Sequence, residues 1–210
     1  TGQIKQIEVD RVIRTLKRMG ELLRQVRIFS FNKSHLPGQK NPTLETCFLD
    51  IETASILEDL RHDPEIVKKQ VRIDFTATAS TYEAPISRVA YYRLLENLVH
   101  NACDAVPEDQ GWIKIELKAQ DDCVTLLVQD NGCGIPPEHR EKLFDFDFTT
   151  KPSRGTGLGL GIVNKICEEF GAKLLLESNP GMGTIFMVTF KTLDHSVTEN
   201  EKNEGSDVRT

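Results

Sequence analysis

Asp130 closes an apolar stretch and stands directly before Asn-Gly-x-Gly in "QDNGCGIPP". An ionised carboxylate can only accept hydrogen bonds, so it suits an exocyclic amine such as that of adenine. Gly132 and Gly134 would let the backbone approach a flat ring closely. Asp-Asn-Gly is equally good turn chemistry, so this pattern alone leaves both readings open. Further on, Gly155, Gly157, Gly159 and Gly161 alternate in "GTGLGLGIV" and lead into an apolar run. Glycine-rich backbone at a helix N-terminus presents N–H groups and the positive dipole end, which suits phosphate, although a loop hinge would use the same residues. No Gly-Lys-Ser/Thr follows, which excludes a Walker A loop, and no short first strand feeds it, which excludes the dinucleotide-binding fingerprint.

A third group lies in "YYRLLENLVHNACDAV". At about 100° per residue, Asn97, Asn101 and Asp104 share one helix face, while Tyr91, Leu95, Leu98, Ala102 and Ala105 share the other. Amides have mediocre helix propensity, so a polar face built on them asks for an explanation. A neutral carbonyl oxygen is a suitable hard ligand for Mg²⁺, and a solvated face is the competing reading. The two glycine clusters frame a mixed basic and aromatic segment, which suggests a lid over something held beneath it.

These groups need elements to position them. Pro85 precedes the Asn-bearing helix, expected from Ile86 to about Val106. "WIKIELKA" and "CVTLLVQD" alternate apolar and polar residues with Asp121-Asp122 between them, which predicts a hairpin. A helix is expected from Leu158 to about Phe170, ended by Gly171. Strands are expected at "VRIDFTA", Lys173–Ser178 and Thr184–Phe190, and a further helix from about Thr46 to Leu60. Grouped strands with flanking helices imply an α+β layered sandwich rather than alternating βαβ units. Upstream, Val9, Val12, Leu16, Met19, Leu23 and Val26 form one apolar stripe on a helix that would pack in a bundle or dimer. "FNKSHLPGQKNP" is rich in turn formers and reads as a linker. From Leu193 onward the chain is polar and aperiodic, which predicts a disordered tail.

Composition sets outer bounds. The 210 residues carry a formal net charge of -6, which argues against nonspecific nucleic-acid binding. No apolar run approaches the roughly 18 residues of a membrane span and no signal peptide opens the chain. Because the first residue is Thr1, the chain reads as a fragment, and any membrane attachment would come through missing regions. Cys47, Cys103, Cys123, Cys133 and Cys167 form no CxxC pair and are odd in number, which fits a reduced, cytoplasmic setting.

Taken in order, an Asn-bearing helix, DxGxG after a strand, a lid, GxGxG before a helix and "GMGTIF" on a strand resemble the GHKL, or Bergerat-fold, ATPase family. The resemblance covers about Val71 to Phe190. It implies a two-layer α/β sandwich that binds ATP with Mg²⁺. Asn101 would then ligate Mg²⁺ with Asp104 nearby, and Asp130 would read the adenine amino group beside Gly132 and Gly134. By the same resemblance Thr184 supports Asp130 through a water, Gly155 to Gly161, with Gly157 and Gly159 among them, cradle the phosphates, and Thr150, Thr156 and Leu158 also bind the nucleotide.

The hydrolytic branches of that family, and its serine kinases, place Glu one helical turn before the metal-ligating Asn. Here that position is Asn97, and Glu96 beside it points about 100° away. An imidazole acceptor needs no strong base, so Asn suits histidine phosphorylation. "LFDFDFTTKPSRGTGLGLGIV" resembles the lid of two-component sensor histidine kinases, and "EVDRVIRTLKRMGELLRQVRIFSF" resembles the second helix of their dimerisation domain. Lys151 and Arg154 would then stand near the γ-phosphate with Asn97 among the catalytic groups. Two departures stand out. Asp147 replaces a customary lid aromatic, and none of His35, His62, His100, His139 and His195 sits in a phosphoacceptor motif. The expectation is therefore a helix of the dimerisation domain at residues 1–31, a linker at 32–43, an ATP-binding catalytic domain at 44–191 and a polar tail at 192–210. Its activity would be phosphorylation of a histidine outside this chain, on the dimerisation domain of the same homodimeric protein, with onward transfer to a response regulator. A nucleotide-binding signalling module without kinase activity, or a GHKL ATPase, is the alternative.

Overall fold

The structure is a computed structural model, and it describes residues 45–78, 82–145 and 158–192. The expected N-terminal helix and linker lie outside these residues, as do all of the tail beyond Thr192 and the lid positions Asp147, Thr150, Lys151, Arg154, Gly155, Thr156 and Gly157.

The described elements run β1 (Cys47–Phe48), α1 (Leu49–Leu60), α2 (Pro64–Lys69), β2 (Arg72–Ala77), β3 (Glu83–Ala84), α3 (Arg88–Ala105), β4 (Trp112–Gln120), β5 (Cys123–Asp130), α4 (Pro137–Arg140), α5 (Gly159–Glu169), β6 (Lys173–Ser178) and β7 (Thr184–Lys191). Five strands make one sheet in the order β2-β4-β5-β7-β6, and β1 pairs with β3 separately. The β2–β4 pair is parallel, because α3 carries the chain across between them, and the remaining pairs are antiparallel. Helices on one side of a mixed sheet give the α+β two-layer sandwich expected from the grouped strands.

Strand alternation builds the core. Ile115, Val128 and Phe186 stand opposite one another across three strands, and Leu117, Leu126 and Val188 form the next row. All of these are buried. Onto them α3 lays Tyr91, Leu94, Leu95, Leu98, Val99 and Ala102, and α5 adds Val163 and Ile166. Ser87 starts α3 as its N-cap, accepting the Ala90 N–H at 3.2 Å, after the chain stiffening of Pro85.

Thr53 of α1 and Tyr91 of α3 share a hydroxyl–hydroxyl bond of 2.6 Å inside this core. Thr53→Val would strand the Tyr91 hydroxyl away from water, so it should cost about 1–3 kcal/mol in urea unfolding. An unchanged midpoint would mean that water reaches the hydroxyl.

Several details differ from the sequence expectations. The Asn-bearing helix begins at Arg88 rather than Ile86, because Ser87 caps it, and β1, β3 and α4 were not expected. The first helix begins at Leu49 rather than Thr46, because Cys47 and Phe48 pair with Ala84 and Glu83 and the Leu49 N–H donates to the Tyr82 carbonyl. The short helix α2 was not expected. Its signal was present in Asp63-Pro64: Asp63 caps it by accepting from the Glu65 and Ile66 N–H groups, with Pro64 in the first turn.

Candidate functional site

The row of side chains next to Ile115, Val128 and Phe186 holds Ile113, Asp130, Thr184 and Ser178, facing one another on β4, β5, β7 and β6. Val124, Val128 and Asp130 all point to the helix side by the same two-residue period, so Asp130 occupies a core position at the end of its strand. It is 4 % exposed. Its Oδ1 accepts the Gly132 N–H at 2.7 Å, which folds the chain tightly after the strand. Thr184 shares a 3.0 Å bond with Ser178, and the Ser178 hydroxyl also donates to the Gly183 carbonyl and accepts the Ile135 N–H. Ser178 was not singled out from the sequence. Its chemistry is a cross-strand contact, and only the register reveals it.

The loop after Asp130 rests on the C-terminal end of α3. The Cys133 N–H donates to the Ala105 carbonyl at 3.1 Å, and a Cβ on Gly132 would lie 2.7 Å from both Ala105 Cβ and Asp130 Oδ1. Asn131 ties the other side by accepting the Trp112 N–H and donating to the Gln110 carbonyl. Gly134 and Gly183 both have positive φ, +70° and +83°, where a side chain is strained.

One and two turns earlier on α3 lie Asn101 and Asn97. Asn97 Nδ2 donates to the Arg93 carbonyl at 2.7 Å, which turns its oxygen away from the helix backbone. The start of α5 stands directly on this pair. A Cβ on Gly159 would lie 3.0 Å from Asn97 Oδ1, 3.6 Å from Asn101 Nδ2 and 3.7 Å from Asn101 Oδ1. No side chain caps this helix end, and Leu158 before it is buried. Glu96 points elsewhere and pairs with Arg93 at 2.8 Å. Asp104 is exposed, one turn beyond Asn101.

Thus α3 acts as a spine. It holds Asn97 and Asn101 against the N-terminus of α5, and Ala105 against the loop that follows Asp130. Asn101 Nδ2 is buried and has no hydrogen-bond partner among the described residues. A buried amide left so costs about 1–3 kcal/mol unless something polar engages it. That orphaned amide, with the close approach of Gly159 beside it, fits a polar ligand at the junction of α3 and α5. Among the described residues no cluster of three or more His, Cys, Asp or Glu could hold a metal by protein groups alone. A single neutral amide oxygen, that of Asn101, is a donor of the kind that suits Mg²⁺ held jointly with phosphates.

Comparison with known proteins identifies the family. Residues 87–194, just over half of the chain, match the family model described as histidine kinase-, DNA gyrase B-, and HSP90-like ATPase. The sensor histidine kinase ZraS of Salmonella typhimurium is 32% identical over 188 residues, covering 89% of this chain and 37% of that protein. A probable C4-dicarboxylate sensor kinase of Bacillus subtilis is 32% identical over 123 residues, covering 57% of this chain and 23% of that protein. This chain thus spans well under half the length of these relatives. Among solved structures, the catalytic domain of the histidine kinase ThkA superposes with a TM-score of 0.62 at 30% identity, covering 70% of this chain and 94% of that one. ThkA in complex with the response regulator protein TrrA gives a TM-score of 0.65 at 25% identity, covering 86% of this chain and 49% of that one. The Asn-bearing helix, the Asp130 loop and the start of α5 all fall inside the matched span, and the chain belongs to the histidine kinase-, DNA gyrase B-, and HSP90-like ATPase family.

Proposed function

We propose that this chain is the ATP-binding catalytic region of a sensor histidine kinase. In this reading it donates the γ-phosphoryl of ATP to a histidine on the dimerisation domain of the same protein, from which a response-regulator Asp receives it. The observation that carries the proposal is the seating of Gly159 on the Asn97–Asn101 pair, with the Asp130 loop docked on the same helix. In this reading the adenine acceptor, the amide for a divalent cation and the phosphate-facing helix N-terminus would all stand along one helix.

Bound Mg²⁺ would neutralise phosphate charge as the phosphoryl group transfers. Asn101 would hold it through its amide oxygen. Asp130 accepts from the adenine amino group, and by the sequence resemblance the glycine-rich run that leads into α5 would supply N–H groups to the phosphates. By the sequence resemblance Thr150 would bind the nucleotide, and the cations Lys151 and Arg154 would offset charge on the γ-phosphoryl. Asn97 stands where the hydrolytic branches carry a carboxylate, so that position supplies no strong base to activate water. A neutral imidazole nitrogen attacks phosphorus unaided: the N–P bond forms, the bond to the bridging oxygen breaks, and ADP leaves.

Cys133 offers an inexpensive check on occupancy. Its thiol is exposed, whereas burial pushes the Cys47 and Cys167 thiols up to about 12. A thiol reagent near pH 8 should therefore label Cys133 first, and saturating Mg·ATP should slow that labelling. Labelling that ignores nucleotide would place the ligand away from the Asp130 loop.

The kinase assignment is tested by incubating the chain with labelled ATP and a histidine-bearing dimerisation helix supplied in trans. Slow transfer to that helix, as acid-labile label, is expected, because an untethered acceptor has low effective concentration. Tight ATP binding with no transfer to any supplied histidine would instead favour a nucleotide-binding signalling module.

A further inference from the structure

The last carbonyls of a helix have no partners within it, and they carry the negative end of its dipole. In α3 these carbonyls are gathered by one side chain. Lys69, the final residue of α2, donates from Nζ to the Cys103 carbonyl at 2.8 Å, the Asp104 carbonyl at 3.1 Å and the Val106 carbonyl at 3.0 Å. Only Ala105 is skipped, and its carbonyl is the one that accepts the Cys133 N–H. All three donors of the ammonium are used, and the peptides on both sides of Ala105 are fixed by it. Ala105 is also the residue whose Cβ supports Gly132.

At its other end α2 is capped by Asp63, whose carboxylate lies 3.8 Å from His100 Nε2 on α3. Ile66 is buried between these two ends. The helix thus braces the second half of α3, touching it at His100 and again at its last turn. That half contains Asn101 and the Ala105 platform.

We propose that Lys69 is a positioning residue for the nucleotide site. It holds the last turn of α3 in place, and through Ala105 it sets the height and angle of the Asp130–Gly134 loop. This inference rests on the reading of that loop as the adenine wall. Lys69 makes no contact with nucleotide in this scheme. Its loss should loosen the loop selectively, because the Cys133–Ala105 bond is the contact next in line.

The test compares Lys69→Met, Lys69→Arg and Thr53→Val by calorimetry with a non-hydrolysable ATP analogue and by hydrogen exchange at the Cys133 N–H. Each is measured at a temperature where the variant is folded. Lys69→Met should weaken analogue binding roughly tenfold and speed exchange at Cys133, whereas Lys69→Arg should restore most of both. Thr53→Val removes a buried bond on α3 far from its last turn, so it should lower stability and leave both readouts unchanged. Should Lys69→Met not fold, Lys69→Gln, which keeps donors without the charge, is read the same way. Wild-type affinity and wild-type Cys133 exchange in the Lys69 variant would overturn the proposal, as would an equal loss of affinity in Thr53→Val. The two readouts separate the two levels. If wild-type protein binds no analogue, the nucleotide reading fails, and exchange at Cys133 still decides whether Lys69 governs the loop.

Discussion

Asp130→Asn should weaken ATP binding on the order of 100-fold, about 3 kcal/mol, while the domain stays folded. The carboxylate is buried at the end of β5 and keeps one oxygen on the Gly132 N–H. An asparagine oxygen can keep that bond, so the turn survives. The second position then presents an NH₂ group where the adenine amine needs an acceptor, and two donors face each other in a dry site. GTP carries a carbonyl where ATP carries the amine, so the same change should shift preference toward GTP. Calorimetric titration with both analogues checks this, alongside thermal unfolding to establish that the variant is native. Unchanged ATP affinity in a folded variant would remove Asp130 from adenine recognition.

Gly134→Ala and Gly183→Ala should be among the most damaging single changes, at about 3–5 kcal/mol each. At Gly134 an added Cβ would lie 2.1 Å from the Asn179 carbonyl oxygen, and at Gly183 it would lie 2.0 Å from the Asp130 carbonyl oxygen. Both obstacles are backbone, so neither can rotate away. Both positions also have φ in the left-handed region, which adds strain for any side chain. Gly181 is the control that separates these terms. Its φ is +77° with nothing within 4 Å of the added Cβ, so Gly181→Ala should cost only about 1 kcal/mol. Similar losses in all three variants, by urea unfolding, would mean that conformation alone and not close approach requires glycine at 134 and 183.

The residues that sequence could place are those whose position follows from periodicity. The alternation of "CVTLLVQD" puts Asp130 on the same face as Val124, Leu126 and Val128, and the hairpin turn at Asp121-Asp122 was readable from turn chemistry. The face of α3 with Asn97 and Asn101 followed from the helical period. The shift of the first helix start to Leu49 was not readable, because Cys47 and Phe48 are drawn into a strand by partners more than thirty residues later in the chain. Ser178 and Lys69 escaped for the same reason. A serine at a strand end and a lysine at a helix end are ordinary locally, and their partners come from other elements. Lys151 and Arg154 remain assignments by resemblance.

A crystal structure of this chain with Mg²⁺ and a non-hydrolysable ATP analogue tests the site most directly. The expected result has the adenine amine on Asp130, the cation on the Asn101 amide oxygen and the phosphates at the N-terminal end of α5. A nucleotide bound away from α3, or bound there with its base remote from Asp130, would contradict the assignment of this site.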